Sequence, residues 1–438
     1  MKYDYKDKLI TTEQALKLVK SGDDIVTGLG PAAAHSFLSK LHTIADRVTN
    51  VKVNSTLVLE QFEYINNAAY KNSFSQEGFF LTPPLRAAVA NGNCYYVPTH
   101  LHNCAERRLS YRQPDIYVGS ASMPNDKGMI SLSLSNCHEM PMFKASKLKI
   151  LEINPNFPFL QGDHIISIDD VDFVTEENYF PPLFPDLPSN DKDKIIGQLI
   201  ANEIHDGDTI QLGIGGIPNA VAEALYGKKD LGVHTELFTS GMMKLYKAGV
   251  INNTKKTLHK GKNVTVFVMG TKELYEFVTE NPDVIEIHDS AYTNNPYVIA
   301  QNDNMVSINT TIEVDLTGQC CSESIGSRVF SGTGGQSDTA TGAQMAKNGR
   351  SFIALYSTAM VKNSVGERVE ISKIVSQLKP GAGVSLMRND VDYIVTEYGK
   401  ARLKGASIKD RVQMLIAIAH PRFREQLYNE AKEYGIIF

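Results

Sequence analysis

The phrase G-D-T-I-Q-L-G-I-G, from Gly207 to Gly215, nearly repeats an earlier one, G-D-D-I-V-T-G-L-G, from Gly22 to Gly30. Helix-like stretches flank each copy, at 14–20 and 33–41 and again at 197–205 and 220–225. A shared G-D-x-I-x-x-G-x-G in matching surroundings predicts a duplicated strand–loop–helix unit. Only the second copy is soon followed by an acidic residue in apolar sequence, Glu236 in L-G-V-H-T-E-L-F-T-S-G. This asymmetry makes Glu236 the first candidate for a functional residue.

A proline-rich segment, residues 178–194, separates the two copies and contains four prolines followed by a polar tail. Such a segment cannot continue a helix or a central strand. A chain of 438 residues is also too long for one ordinary hydrophobic core. We therefore predict an N-terminal domain over residues 1–185 and a C-terminal domain over residues 190–438, the second carrying Glu236.

Short strand-like stretches alternate with helix-like stretches such as 192–205 and 410–418 in both halves. The predicted strands are 24–27, 51–59, 115–118, 148–153, 209–212, 264–269, 352–354, 383–387 and 393–396. This alternation predicts two related open α/β domains with largely parallel sheets, arising by duplication. Ligands of such sheets gather at the carboxyl ends of the strands, so glycine-rich loops after strands are candidate binding sites.

The composition excludes several classes of function. A hydrophobic content of 42%, a charged content of 21% and a net charge of −5 describe a globular protein without a long basic block. Nucleic acid is therefore not an expected partner. No apolar run of membrane-spanning length and no signal-peptide pattern occur, so we expect a cytoplasmic protein that does not engage membranes. Five cysteines, an odd and sparse number, indicate free thiols rather than a disulfide framework.

Two glycine-rich loops follow predicted strands in the second half. Gly213-Ile-Gly-Gly-Ile-Pro218 differs from a dinucleotide fingerprint at Pro218, and no Lys-Ser/Thr follows it as in a P-loop. Ser331-Gly-Thr-Gly-Gly-Gln-Ser-Asp338 offers backbone N–H groups to an oxyanion. A tight strand-to-helix turn is the alternative for the first loop, and a flexible surface turn is the alternative for the second. The first copy, Gly28–Ala33, lacks the acidic residue that a dinucleotide site needs and is interpreted as scaffold.

Glu236 stands in a stretch that otherwise predicts a buried strand, where a carboxylate is costly unless it is paired or functional. A glutamate near oxyanion-binding glycines suits attack on a carbonyl to form an acyl anhydride. An edge-strand or loop glutamate in water is the alternative. Other clusters, His100-x-His102-x-Cys104 and Cys137-His138-Glu139, have ligand-like residue types without metal-site spacing, so no metal is expected.

Five segments in this order resemble the acetyl-CoA hydrolase/transferase family of class I coenzyme A transferases. The closest resemblance is to the 4-hydroxybutyrate and butyrate CoA-transferases. The segments are Q-L-G-I-G-G-I-P (211–218), H-T-E-L (234–237), S-G-T-G-G-Q-S-D (331–338), D-Y-I-V-T-E-Y-G (392–399) and I-A-H-P (418–421). Any one is a weak signal, whereas the set is specific and extends over nearly the whole chain.

The resemblance implies a role for several residues. Glu236 would be the covalent nucleophile, and Gly335 an oxyanion-hole donor. Asn294 would donate to the acyl oxygen, with Asn295 as the alternative because the two are adjacent in T-N-N-P. The residues implied in CoA binding are Gly213, Ile214, Gly215, Gly216, Ile217, Ser331, Gly335 and Lys362.

The resemblance also implies the activity and its partners. We expect a CoA-transferase of acetate metabolism in fermentation that uses an acyl-CoA and a short carboxylate such as acetate. Coenzyme A would be a substrate, and no permanently bound cofactor is implied. A homodimer or homotetramer is expected. An acyl-CoA hydrolase is the alternative activity, and a non-catalytic acyl-CoA sensor is a further one.

Overall fold

The computed structural model describes residues 4–438, which divide into two compact units. The first unit comprises the described chain through Pro185, together with Glu236–Ser240 and Lys262–Asn294. The second comprises Asp186–Thr235, Gly241–Gly261 and Asn295–Phe438. Both have an α/β fold with mainly parallel sheets, which confirms the predicted fold class. The chain passes from the second unit into the first between Thr235 and Glu236.

The first unit is built on a seven-stranded parallel sheet, and the first repeat copy supplies its central strand, Asp24–Thr27. In spatial order the strands are Phe173–Glu176, Leu148–Ile153, Ile116–Ala121, Asp24–Thr27, Val51–Leu57, Phe74–Phe80 and Cys94–Tyr96. All four residues of the central strand are buried. A strand of a sheet that is covered on both faces has consecutive buried residues, as D-I-V-T has here.

Three further strands of the first unit, Asn263–Val268, Ile285–Ile287 and Gln161–Gly162, pair in parallel, whereas Met129–Ser131 and Ile165–Ser167 pair antiparallel. The helices of this unit are Thr12–Lys17, His35–Lys40, Glu63–Asn66, Pro83–Ala90, Cys104–Tyr111, Glu139–Ala145, Lys272–Glu280 and Ser290–Thr293. Its core includes a cluster of Tyr117, Phe143, Leu151, Ile153 and Val174.

The second unit repeats the arrangement around the second copy. Its strand Thr209–Leu212 pairs in parallel with Gly232–Phe238 on one side and with Met305–Thr310 on the other. The first copy is flanked in the same way by the next long strand and by a later one. This correspondence agrees with the predicted duplication. The sheet continues beyond Met305–Thr310 with three more strands, the parallel Arg350–Ala354 and Tyr393–Thr396 and the antiparallel Gly399–Arg402.

Shorter elements complete the second unit. The small strands are Glu313–Asp315, Cys320–Cys321, Ser324–Ile325, Arg328–Val329, Thr358–Lys362, Arg368–Ser372 and Ile374–Val375. Its helices are Asp191–Ala201, Gly216–Ala224, Pro296–Ile299, Gln336–Met345, Ile408–Ile418 and Arg424–Glu433, and helix Ser240–Lys247 begins at the last residue of a first-unit segment. The predicted strand 383–387 is wrong, because this segment makes only an isolated bridge between Leu386 and Cys320.

The core of the second unit gathers Val314, Ile353, Ile394, Val412 and Leu415 from strands and from the Ile408–Ile418 helix. None of the helices within residues 4–438 is long and apolar enough to span a lipid bilayer. All five cysteines are buried and free, as their sparse number predicted.

Candidate active site

Glu236 lies near the carboxyl end of the strand Gly232–Phe238, and it is the only residue of that strand that is not fully buried. The neighbouring Leu237 is buried in a cluster with Val266 and Phe267. The hydroxyl of Thr265 donates to the Glu236 carbonyl oxygen at 3.0 Å. The backbone is therefore fixed on both sides of a partly exposed carboxylate, at the end of a strand where ligands of parallel sheets bind.

Asn294 brings its side chain to this carboxylate. Its Nδ2 donates to Glu236 Oε2 at 3.3 Å, and the asparagine is only 1% exposed. Within residues 4–438 its buried Oδ1 has no hydrogen-bond partner. The adjacent Asn295 instead caps the helix Pro296–Ile299, accepting from the Tyr297 N–H at 3.0 Å. Of the two adjacent asparagines, Asn294 is therefore the one that touches Glu236.

The helix before Asn294 is anchored by Ser290. The Ser290 hydroxyl lies 2.6 Å from the carbonyl oxygen of Cys137 and 2.9 Å from that of Leu101, and its single O–H is shared between them. Its own carbonyl accepts from the Asn294 N–H at 3.0 Å. Serine at the start of a short helix carries no special signal in the sequence, so this anchor was not predicted.

Metal-ligating residue types converge beside this anchor. Donor atoms of Cys104, Cys137 and His138 lie within 4.8 Å of one another and are buried. The His138 ring is engaged at both nitrogens, with Thr56 Oγ1 2.7 Å from Nδ1 and the Thr27 carbonyl 3.0 Å from Nε2. Both nitrogens already have oxygen partners, so the cluster is organised as a buried polar network.

The first glycine-rich loop, Gly213–Ile217, follows the strand Thr209–Leu212 and leads into the helix Gly216–Ala224. Gly215 adopts a φ of +115°, a conformation that side-chain-bearing residues rarely take. A Cβ at Gly216 would lie 2.5 Å from Asp193 Oδ2. The Tyr356 hydroxyl donates to the other oxygen of Asp193 at 2.6 Å, so that the carboxylate is fixed against the loop. Two of the glycines are thus required by the local geometry.

The second glycine-rich loop is braced from Ser322 and Glu323. Ser331 Oγ donates to the Ser322 carbonyl at 2.9 Å, and Thr333 Oγ1 donates to Glu323 Oε2 at 2.9 Å. Gly335 then caps the helix Gln336–Met345. The first N–H groups of a helix have no partners within it and are suited to binding anions.

A polar network connects the two loops within the second unit. Gln211 Oε1 accepts from the Asn309 amide at 3.2 Å, and that amide also donates to Thr339 Oγ1 at 3.0 Å. Gln211 lies two residues before the first glycine-rich loop. Thr339 lies in the first turn of the helix that follows the second glycine-rich loop. None of these side chains was among the predicted site residues, although polar side chains inside the strands Thr209–Leu212 and Met305–Thr310 were an available signal.

Lys362 lies at the exposed end of a β-hairpin, opposite Arg368. Within the described chain its side chain makes no hydrogen bond or ion pair. Its role in CoA binding stays a prediction.

Comparisons with known proteins place the chain among its relatives. The N-terminal domain model of acetyl-CoA hydrolase/transferase matches residues 1–184, and the corresponding C-terminal model matches residues 270–431. A 4-hydroxybutyrate coenzyme A transferase of Clostridium kluyveri is 40% identical over 432 residues, covering 98% of each chain. A butyryl-CoA:acetate CoA-transferase of Anaerostipes caccae is 33% identical and covers 99% of this chain and 98% of its own. The crystal structure of 4-hydroxybutyrate CoA-transferase from Porphyromonas gingivalis matches with a TM-score of 0.80 at 36% identity, covering 98% of both chains.

Proposed function

This chain belongs to the acetyl-CoA hydrolase/transferase family, and we propose that it transfers CoA between a short-chain acyl-CoA and acetate. The acyl group proposed is 4-hydroxybutyryl or butyryl, on the strength of the relatives at 40% and 33% identity. The observation that carries the proposal is the partly exposed Glu236 carboxylate with the Asn294 amide 3.3 Å away. A carboxylate with a fixed N–H donor beside it suits nucleophilic attack on a thioester.

The proposed reaction uses Glu236 twice. Its carboxylate oxygen bonds to the thioester carbonyl carbon and the C–S bond breaks. CoA leaves as a thiolate, and the acyl group stays on Glu236 as an acyl-glutamyl anhydride. The thiolate then attacks the glutamyl carbonyl, which releases the first carboxylate and leaves a glutamyl-CoA thioester. Acetate reverses these steps and departs as acetyl-CoA. The protein side chain supplies the nucleophile, and binding of the distant parts of CoA supports the unfavourable anhydride step.

Each addition step develops negative charge on an oxygen atom. We assign the stabilising donors to the Asn294 amide and the Gly335 N–H, and the binding of CoA to Gly213–Ile217, Ser331 and Lys362. Removal of one preorganised donor raises such a barrier by about 3–4 kcal/mol.

Trapping of the intermediate tests the proposal. The protein is incubated with acyl-CoA and treated with borohydride or hydroxylamine, and the modified residue is identified by mass spectrometry. We expect modification of Glu236, and modification confined to any other residue would remove it as the nucleophile.

Acetate dependence separates the transferase from the hydrolase. A transferase consumes butyryl-CoA at a rate that depends on acetate and forms acetyl-CoA in equal amount. Equal rates with and without a carboxylate acceptor would establish hydrolysis instead. Binding of acyl-CoA with no turnover under either condition would indicate a sensor.

The same proposal includes a homodimer or homotetramer and the division into domains 1–185 and 190–438. Light scattering during size-exclusion chromatography tests the oligomeric state. Separate expression of the two segments tests the domain division, because a true domain should fold cooperatively on its own.

A further inference from the structure

Gln336 directly follows Gly335 and is the first residue of the helix Gln336–Met345. A glutamine at this position could extend into water, since the start of a helix is commonly exposed. Here the residue is only 7% exposed. Its buried amide must therefore satisfy its hydrogen-bonding groups within the protein.

Both ends of the Gln336 amide are engaged. Its Nε2 donates to the Thr310 carbonyl oxygen at 2.6 Å, and its Oε1 accepts from the Ser322 hydroxyl at 2.6 Å. A carbonyl oxygen can only accept, so the orientation of the amide is determined by its partners. Thr310 is the last residue of the strand Met305–Thr310, and Ser322 belongs to the segment that braces the second glycine-rich loop.

These bonds connect the residue after Gly335 to two separate parts of the second unit. Gly335 has a φ of −94° and a ψ of 10°, and it carries no side chain that could hold it in place. Within residues 4–438 no hydrogen bond engages its N–H, whereas its carbonyl accepts from the Thr339 N–H at 2.9 Å. The Gly335 N–H belongs to the Gly334–Gly335 peptide, which is joined through the Gly335 Cα to the peptide of Gln336, so the bonds of Gln336 fix one end of it.

We propose that Gln336 is a positioning residue that holds the Gly335 N–H in the direction required to stabilise an oxyanion. Gln336 does not touch the substrate in this role and acts through Gly335. The inference rests on the proposed transferase function, in which Gly335 is the donor. A donor that is already oriented needs no reorganisation when charge develops, which is the source of its effect on rate.

The test replaces Gln336 by leucine, which keeps much of the volume and removes both bonds. Gln344 is a matched control two turns along the same helix, where its Nε2 donates to the Asp390 carbonyl. We expect Gln336→Leu and Gln344→Leu to lower the thermal unfolding midpoint by similar amounts. Only Gln336→Leu should lower kcat, by about 100-fold, the size of effect that a small displacement of a catalytic group produces.

The division between kcat and KM separates positioning from general damage. Loss of an interaction made only in the transition state lowers kcat and kcat/KM equally and leaves the KM for butyryl-CoA unchanged. Of the two Gln336 hydrogen bonds, Ser322→Ala removes only the one to Oε1 and should lower kcat by a smaller factor. If Gln336→Leu does not fold, Ser322→Ala still decides, because an unchanged kcat in a folded Ser322→Ala protein would overturn the inference.

The failure of this inference and the failure of the proposed function give different results. If the unmodified protein transfers CoA and Gln336→Leu retains the kcat of Gln344→Leu, the positioning role is wrong and the transferase stands. If the unmodified protein shows neither transfer nor a trapped Glu236 adduct, the proposed function itself is wrong, and the inference falls with it.

Discussion

The Asn294 amide and the Glu236 carboxylate lie 3.3 Å apart in one structural unit, although 58 positions separate them in the sequence. Asn294 reaches the carboxylate from the end of a helix that Ser290 anchors to the Cys137 carbonyl. The donor is therefore in place before any ligand arrives. A donor that is already oriented needs no reorganisation when charge develops nearby.

Replacement of Glu236 by glutamine should abolish CoA transfer while the fold persists. The amide is nearly isosteric with the carboxylate, and its oxygen can still accept from Asn294, but it is a poor nucleophile. We expect no acetyl-CoA formation from butyryl-CoA and acetate, and a thermal unfolding midpoint close to that of the unmodified protein. Near-normal exchange in this variant would refute the assignment.

Asn294→Ala should lower kcat by about 100- to 1,000-fold, the loss found when one oxyanion donor is removed. Asn295→Ala removes a helix cap instead and should cost about 1 kcal/mol of stability with a much smaller change in kcat. Gln301→Ala, at an exposed amide bonded to the Tyr297 carbonyl, is the neutral control. A larger kcat effect for Asn295→Ala than for Asn294→Ala would reverse their roles.

Local sequence predicted much of this fold because the strands are short and mostly apolar. The strands Asp24–Thr27, Leu148–Ile153, Thr209–Leu212 and Tyr393–Thr396 have the predicted limits. The prediction for 383–387 failed because its N–H groups do not bond to one continuous strand. That of Gly383 donates to the Ser324 side-chain hydroxyl, and that of Ser385 donates to the carbonyl of Cys320, whose strand is only two residues long. Apolar composition alone does not distinguish these two cases.

The candidate site was predictable only where the chemistry is local. The residue type and flanking sequence of Glu236 were enough to single it out, and the glycine-rich loops were visible as runs of glycine. The contact of Asp193 with Gly216 and that of Gln336 with Thr310 join residues more than 20 positions apart. Such pairs depend on how strands and helices pack, which a single sequence without an alignment does not specify.

Gly216 and Gly213 should respond differently to alanine, although both belong to the same loop. A Cβ at Gly216 would lie 2.5 Å from the fixed carboxylate of Asp193, whereas at Gly213 the nearest atom would be 3.7 Å away. We expect Gly216→Ala to cost about 1–3 kcal/mol of stability, as forced packing does, and to weaken the binding of CoA. Chemical unfolding and calorimetric titration with CoA check this, and equal effects at the two glycines would contradict it.

Glu152 gives the first unit a pH-dependent term in its stability. This carboxyl group is buried and accepts from the Phe37 N–H at 2.6 Å, the Ser36 N–H at 3.2 Å and the Tyr179 hydroxyl at 2.5 Å. Burial is the largest cause of a pKa raised from 4.5 to about 7, and it outweighs the hydrogen bonds, which favour the charged form. The folded protein therefore holds this proton over a range in which the unfolded chain releases it.

The free energy of unfolding should accordingly fall as the pH rises from 4.5 to 7, because the folded state binds more protons there than the unfolded state. The raised pKa corresponds to at most about 3 kcal/mol for this single group. Glu152→Gln cannot titrate, so its stability should depend less on pH over this range, whereas Glu425→Gln, at an exposed helix position, should follow the unmodified protein. Denaturant unfolding at intervals between pH 5 and pH 8 measures the difference. Parallel pH dependences for Glu152→Gln and the unmodified protein would show that Glu152 does not carry this proton.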